Sequence, residues 1–117
     1  MRPIFPSVMA KDQLELDAIF ANLRGTMKYL HLDVADGKFV PNRSLWFPFK
    51  LSPKFRYIAH LMVKEPGSWI RKHGKKVEFC IVQAETVSIA DHIKNMEGRK
   101  IAFALNPETS VNKIKPY

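Results

Sequence analysis

The chain has a single cysteine, Cys80, so no disulfide can form within it. Cys80 sits in the apolar run 77–82, and a buried structural thiol is the expected reading. No apolar stretch approaches the length needed to cross a bilayer, which excludes a helical membrane anchor. The opening residues, Met1-Arg2-Pro3-Ile4-Phe5-Pro6, lack a long apolar region, so a secretory leader is not expected and a soluble, cytoplasmic protein is. Acidic residues are few: 11 against 19 lysines and arginines, for a formal net charge of +8. That balance suits a phosphorylated metabolite or another anionic partner. No run of basic residues is longer than two, however, and a solvated basic surface fits better than a nucleic-acid module.

What is present is a 117-residue chain, one domain at most, with enough apolar residues for a core. Ile4 and Phe5 begin a short strand ending in Pro6-Ser7. Asp12 can cap a helix in which Leu16, Ile19, Phe20 and Leu23 recur at helical spacing, with Gly25 as a stop. Further strands are expected over 27–34, 55–62, 76–82 and 101–105. Helices are expected from Pro66 through Ile70 to Gly74, over 88–96, and briefly around Val111 and Ile114. Residues 38–53 form a long aromatic and proline-containing connection, of the kind that is functional or hides a short helix. Strands apolar throughout, alternating with helices about five times, predict a parallel sheet buried on both faces.

Within 27–34, His31 and Asp33 interrupt the apolar run. Residues two apart on a strand point to one side, so a nitrogen and a carboxylate would stand together. Buried ionisable groups are tolerated when paired, hydrogen-bonded or bound to a metal, and the dipeptide spacing alone leaves all three open. The Asp36-Gly37 pair that follows reads as an ordinary turn. Other polar residues fall where strands give way to loops: Ser7, His60, Gln83, Glu85 and Asn106. Ligands of parallel α/β folds bind at those carboxyl ends.

Several stretches in order resemble the ribulose-phosphate 3-epimerase family. They are Pro6-Ser7; His31-Leu32-Asp33-Val34 with Asp36-Gly37 and Phe39-Val40-Pro41-Asn42; His60-Leu61-Met62-Val63 with Pro66; Ala84-Glu85; and Ala104-Leu105-Asn106-Pro107 with Thr109. The resemblance implies a (β/α)8 TIM barrel of which residues 1–117 would be a single partial ribulose-phosphate-binding domain, about the first five βα units. It also implies interconversion of D-ribulose 5-phosphate and D-xylulose 5-phosphate by proton transfer at C3 through an enediolate. His31, Asp33 and His60 would be ligands of a divalent metal such as zinc, iron, manganese or cobalt. Asp33 would be a proton-transfer carboxylate, and Ser7, His60 and Met62 would face the phosphorylated pentulose.

The chain departs from that pattern at Ala35, where a cavity methionine is usual, and at Gln83, where a histidine is usual. Residues 43–46 lack the glycine-containing segment expected after Phe-Val-Pro-Asn. A whole barrel needs about 250 residues. The second catalytic aspartate, also the fourth protein ligand, and the phosphate-binding amides come from later strands in the family. The chain as given therefore offers three of four ligands and one of two proton-transfer groups, and little or no turnover is expected of this chain alone. The contrasting expectation is a non-catalytic half-barrel that forms a homo-oligomer or pairs with a carboxyl-terminal part. Orotidine-type decarboxylases, which rely on an Asp-x-Lys pair at this strand, fit less well, because Asp33 is followed by Val34-Ala35-Asp36-Gly37. No nucleic acid and no membrane are expected as partners.

Overall fold

A computed structural model of the chain describes residues 4–25, 27–86 and 100–115. The described elements run β1 (Ser7–Val8), α1 (Gln13–Leu23), β2 (Tyr29–Asp36), β3 (Arg43–Ser44), β4 (Arg56–Met62), α2 (Pro66–His73), β5 (Phe79–Gln83) and β6 (Ile101–Ala104). Five strands lie parallel in the order β1-β2-β4-β5-β6, and β3 pairs antiparallel with the end of β2. Sequential parallel strands are the pattern of a barrel sector, so the sheet is part of a TIM-barrel-type α/β fold. No described helix is long and apolar enough to cross a membrane.

The helix expected after Asp12 forms as read: the Asp12 carboxylate accepts from the Glu15 N–H at 2.9 Å, and Leu16 and Phe20 are buried. Pro66 opens α2, where its missing N–H costs nothing, and the Gly74 N–H closes the helix on the Ile70 carbonyl. The 88–96 helix lies outside the described residues. The last expected helix is one 3-10 turn, Val111–Lys113, capped by the Ser110 hydroxyl.

Strand edges differ from expectation. The first strand is Ser7–Val8, with Ile4 and Phe5 exposed, because Pro6 has no N–H for the ladder and only its carbonyl joins, accepting from His31 at 2.9 Å. The fourth parallel strand starts at Phe79, since Gly74–Lys76 close a 3-10 turn instead of extending. The sheet is also not equally buried on both faces. Leu30, Leu32, Val34, Tyr57, Ala59, Leu61, Cys80 and Val82 are buried on the outer face, where α1 and α2 pack. Of the residues between them, His31, Asp33, His60, Phe79 and Ile81 are half-buried, and Ile58 is buried. Alternation is therefore present, but apolar residues on the inner face hide it in the sequence.

The crossover from β2 to β4 contains no helix; the long connection carries β3 instead. Asp36 and its neighbours hold its start, and the loop is then tied down at two places. Leu45 N–H donates to the Ala10 carbonyl at 2.8 Å and the Ser44 hydroxyl accepts from Ala10 N–H at 3.3 Å. Further on, the Gln13 amide both accepts from Lys50 N–H at 2.8 Å and donates to the Lys50 carbonyl at 3.0 Å. Phe49 stacks with Trp69 of α2, with ring centroids 6.2 Å apart, covering the sheet where a crossover helix would lie. Leu45 adopts a positive φ of 53° while fully buried. A leucine thus occupies a left-handed position in the stretch where the resemblance leads one to expect glycine.

Candidate metal centre

β2 and β4 are in register over seven residues, and the ladder sets Asp33 opposite His60. In a parallel pair, opposed residues project to the same face, so strand pairing alone brings these side chains together. His31 precedes Asp33 by two and shares that face; its partner across the ladder to β1 is Ser7. The three side chains are 23% (His31), 16% (Asp33) and 21% (His60) exposed, enough shielding to strengthen electrostatics and enough access for an ion to enter.

Asp33 Oδ1 stands 3.0 Å from His31 Nε2 and 3.8 Å from His60 Nδ1. The two imidazole rings meet edge to face, centroids 5.7 Å apart. One ligand atom from each of the three residues lies within 4.8 Å of the others. Donor atoms about 2.1 Å from a common ion stand roughly 3 to 4 Å apart, so the spacing matches a shared cation. Two neutral imidazoles and a carboxylate are the donor set of zinc, iron, manganese or cobalt, not of calcium or magnesium. The group fits a divalent transition metal and could hold one.

Met62 follows His60 by two on the same face and pairs with Ala35. Ser7, exposed at the sheet margin, shares the face of His31. Ser7 and Met62 thus stand on the same face of the sheet as His31, Asp33 and His60.

Two residues matter more than their sequence context suggests. Gln83 is only 5% exposed, and its Oε1 lies 2.7 Å from His60 Nε2. Its amide donates to Asn106 Oδ1 at 3.2 Å, and Asn106 N–H donates to Glu85 Oε1 at 2.5 Å. The strand-end polar residues Gln83, Glu85 and Asn106 therefore form one chain leading to His60. Their position at successive strand ends was the signal available in the sequence.

Asp36, by contrast, reads as a turn residue yet is buried. Its Oδ1 accepts from the Lys38 and Phe39 N–H groups at 2.8 and 2.9 Å, and its Oδ2 accepts from Lys64 N–H at 3.0 Å. Burial pushes its carboxyl upward, but the N–H groups of Lys64, Phe39 and Lys38 outweigh that and hold it below the usual carboxylate value. It thereby ties together the loops leaving β2 and β4, the two strands that carry the triad. Next to it, Gly37 has φ of +77°, and a Cβ there would meet the Arg43 side chain at 3.0 Å.

A cleft of about 470 Å³ opens on the other side of Asp36, between the long connection and α2, lined by residues including Trp46, Phe49, Lys64 and Trp69. None of His31, Asp33 and His60 borders it. The His31, Asp33 and His60 group lies instead on the inner face of the sheet.

A family model described as the ribulose-phosphate 3 epimerase family matches residues 3–117. The chain is 29% identical over 142 residues to the ribulose-phosphate 3-epimerase of Eremothecium gossypii, covering 100% of the chain and 59% of that protein. It is 30% identical over 132 residues to the enzyme of the same name from Aquifex aeolicus, covering 98% of the chain and 56% of that protein. The corresponding protein of Candida glabrata is 29% identical over 154 residues, covering 100% and 59%. The chain thus spans less than two thirds of the length of these relatives.

Proposed function

The chain belongs to the ribulose-phosphate 3-epimerase family, and from that premise we propose that it is the metal-binding part of an isomerase acting on a phosphorylated pentulose. The reaction is the interconversion of D-ribulose 5-phosphate and D-xylulose 5-phosphate. Residues 1–117 act as a single partial barrel domain. The observation that carries this reading is the convergence of His31, Asp33 and His60 from two adjacent strands onto one face, with ligand atoms within 4.8 Å.

His31, Asp33 and His60 hold the divalent cation, with His60 also at the substrate side. When bound, the cation supplies Lewis-acid stabilisation of negative charge developing on the substrate oxygens. Asp33 is the group that takes the proton from C3, leaving an enediolate, and returns it on the same face. Inversion at C3 needs a second acid on the opposite face, and Asp33 by itself supports exchange of the C3 proton. Ser7 contacts the sugar phosphate, and Met62 offers an apolar wall with no proton to donate, which favours return of the proton from Asp33.

The test is exchange in deuterated water. Chain loaded with manganese or cobalt, given D-ribulose 5-phosphate at millimolar concentration, is expected to lose the C3–H proton resonance. Asp33→Asn is expected to abolish the exchange. Equal exchange by Asp33→Asn and wild type would overturn the role of Asp33.

A second reading has its own observation. The inner face carries the half-buried Phe79 and Ile81, and the outermost described strands, β1 and β6, each have one neighbour in the sheet. Such edges and faces invite association. On this reading the chain is a non-catalytic half-barrel that pairs with a second copy or with a carboxyl-terminal part. Sedimentation of the purified chain at micromolar concentration tests it: a dimer or larger species is expected, and a stable monomer counts against it.

A further inference from the structure

We propose that Gln83 is a positioning residue that fixes the tautomer of His60, so that Nδ1 presents its lone pair to the ion held with Asp33 and His31. The proposal rests on the metal-site reading above, but the tautomer itself can be observed without any metal.

A neutral imidazole has one N–H and one lone pair, and a metal takes the nitrogen with the lone pair. Which nitrogen that is depends on what the other one meets. His60 Nε2 lies 2.7 Å from Gln83 Oε1, a hydrogen-bond distance. An amide oxygen only accepts, so Nε2 is the protonated nitrogen. The opposite tautomer would set the Nε2 lone pair against the Gln83 oxygen and gain no hydrogen bond from Asp33, whose Oδ1 is 3.8 Å from Nδ1.

The amide in turn is fixed by what lies behind it. Its NH2 group donates to Asn106 Oδ1 at 3.2 Å, which leaves Oε1 turned to His60. Asn106 is anchored through its own N–H by Glu85 Oε1. The Gln83 carbonyl accepts from both the N–H and the hydroxyl of Thr86, at 3.1 and 2.8 Å, which pins the end of β5. Gln83 is buried, so water offers little competition for either end of the amide. Three strand ends, those of β4, β5 and β6, thereby act in series on one ring nitrogen.

The resemblance marks Gln83 as a departure from a usual histidine. The amide cannot change protonation state, so its accepting oxygen is present at every pH at which the chain is folded.

The test uses the full chain and two substitutions. Long-range ¹H–¹⁵N correlation spectra of the metal-free chain, at a pH where His60 is neutral, are expected to show the Nε2–H form of His60. Gln83→Leu, which matches the volume and removes the acceptor, is expected to give a mixture with the Nδ1–H form. Gln83→Glu keeps an acceptor and is expected to retain the Nε2–H form. Cobalt affinity, measured by chelator competition, is expected to weaken by about 10 to 100-fold in Gln83→Leu and to return in Gln83→Glu. An Nδ1–H form in wild type, or an unchanged tautomer in a folded Gln83→Leu, would overturn the proposal. Wild-type chain that shows the Nε2–H form yet binds no cobalt would refute the metal-site reading and leave Gln83's control of the ring in place.

Discussion

Asp33 and His60 face each other across the β2–β4 ladder with Oδ1 and Nδ1 3.8 Å apart. That distance is too long for a direct hydrogen bond and suited to a shared ion. His31, at 3.0 Å from the same oxygen, does make a direct contact. One imidazole thus meets Asp33 directly, and the other is turned to Gln83, 2.7 Å away.

The first prediction concerns the metal. Elemental analysis after dialysis against manganese, zinc or cobalt is expected to find close to one ion per wild-type chain. The His31→Ala, His60→Ala double substitution is expected to retain almost none, since a single remaining carboxylate is a weak ligand. Both residues are half-buried on the open face, so the double variant is expected to stay folded by circular dichroism. Equal metal content in the two proteins would remove the ligand assignment.

Asp36 sets the second. Asp36→Ala leaves the N–H groups of Lys38, Phe39 and Lys64 without the acceptor they have now. An unsatisfied buried donor costs about 1–3 kcal/mol. Partial access of the turn to water reduces that, and a loss of about 2–4 kcal/mol is expected from urea denaturation. Asp36→Asn, which keeps one accepting oxygen, should fall between. A change below about 0.5 kcal/mol in Asp36→Ala would mean that the two loops are held by other contacts.

The same carboxylate gives a pH dependence. Its folded-state value lies below the ordinary 3.8. The unfolded chain therefore binds its proton first as pH falls, and the stabilisation is complete above 3.8 and is lost as pH drops through the lower folded value. Urea midpoints measured between pH 5 and pH 2 (roughly the range of carboxylate titration) are expected to fall less steeply for Asp36→Asn than for wild type. Parallel curves would show that other carboxylates dominate the acid limb.

Tyr57 gives the mirror case at high pH. Its phenol is buried and donates to the Ser52 carbonyl at 2.5 Å. Burial pushes its pKa from 10.0 to about 12. The raised folded value means that the contribution is fully present below pH 10.0 and disappears as pH rises through about 12. Near-ultraviolet titration is expected to resolve one tyrosine that ionises last, and Tyr57→Phe is expected to delete that step.

Leu45 separates backbone strain from burial. Its positive φ costs on the order of 1 kcal/mol in a side-chain-bearing residue, whereas its fully buried side chain is worth about 3 kcal/mol or more. Burial wins, so Leu45→Gly and Leu45→Ala are both expected to destabilise. Glycine relieves the strain and alanine does not, so Leu45→Gly should be the more stable of the two by about 1 kcal/mol. Alanine proving the better substitute would argue that the backbone shifts to a relaxed conformation.

Much of the fold was legible because helix signals are local. Asp12, Gly25, Pro66 and Gly74 act on backbone groups within a few residues, and the helices they bound begin or end where those residues stand. The crossover was legible as a connection, since Pro41, Pro48 and Pro53 work against a helix in 38–53, but its path was not, because distant contacts set it. Gln13 and Ala10 hold that path through hydrogen bonds to Lys50 and Leu45, about 35 residues away.

The sequence by itself determined that His31 and Asp33 share a face, because strand geometry makes every second residue parallel, and its motifs determined the family. Only the tertiary structure decided that His60 stands opposite Asp33 and not one position away, because register is set by pairing along the whole of β2 and β4. The same holds for Gln83 and Asp36. Each joins two loops or strands distant in sequence, and the worth of such a side chain lies in partners that no local pattern specifies.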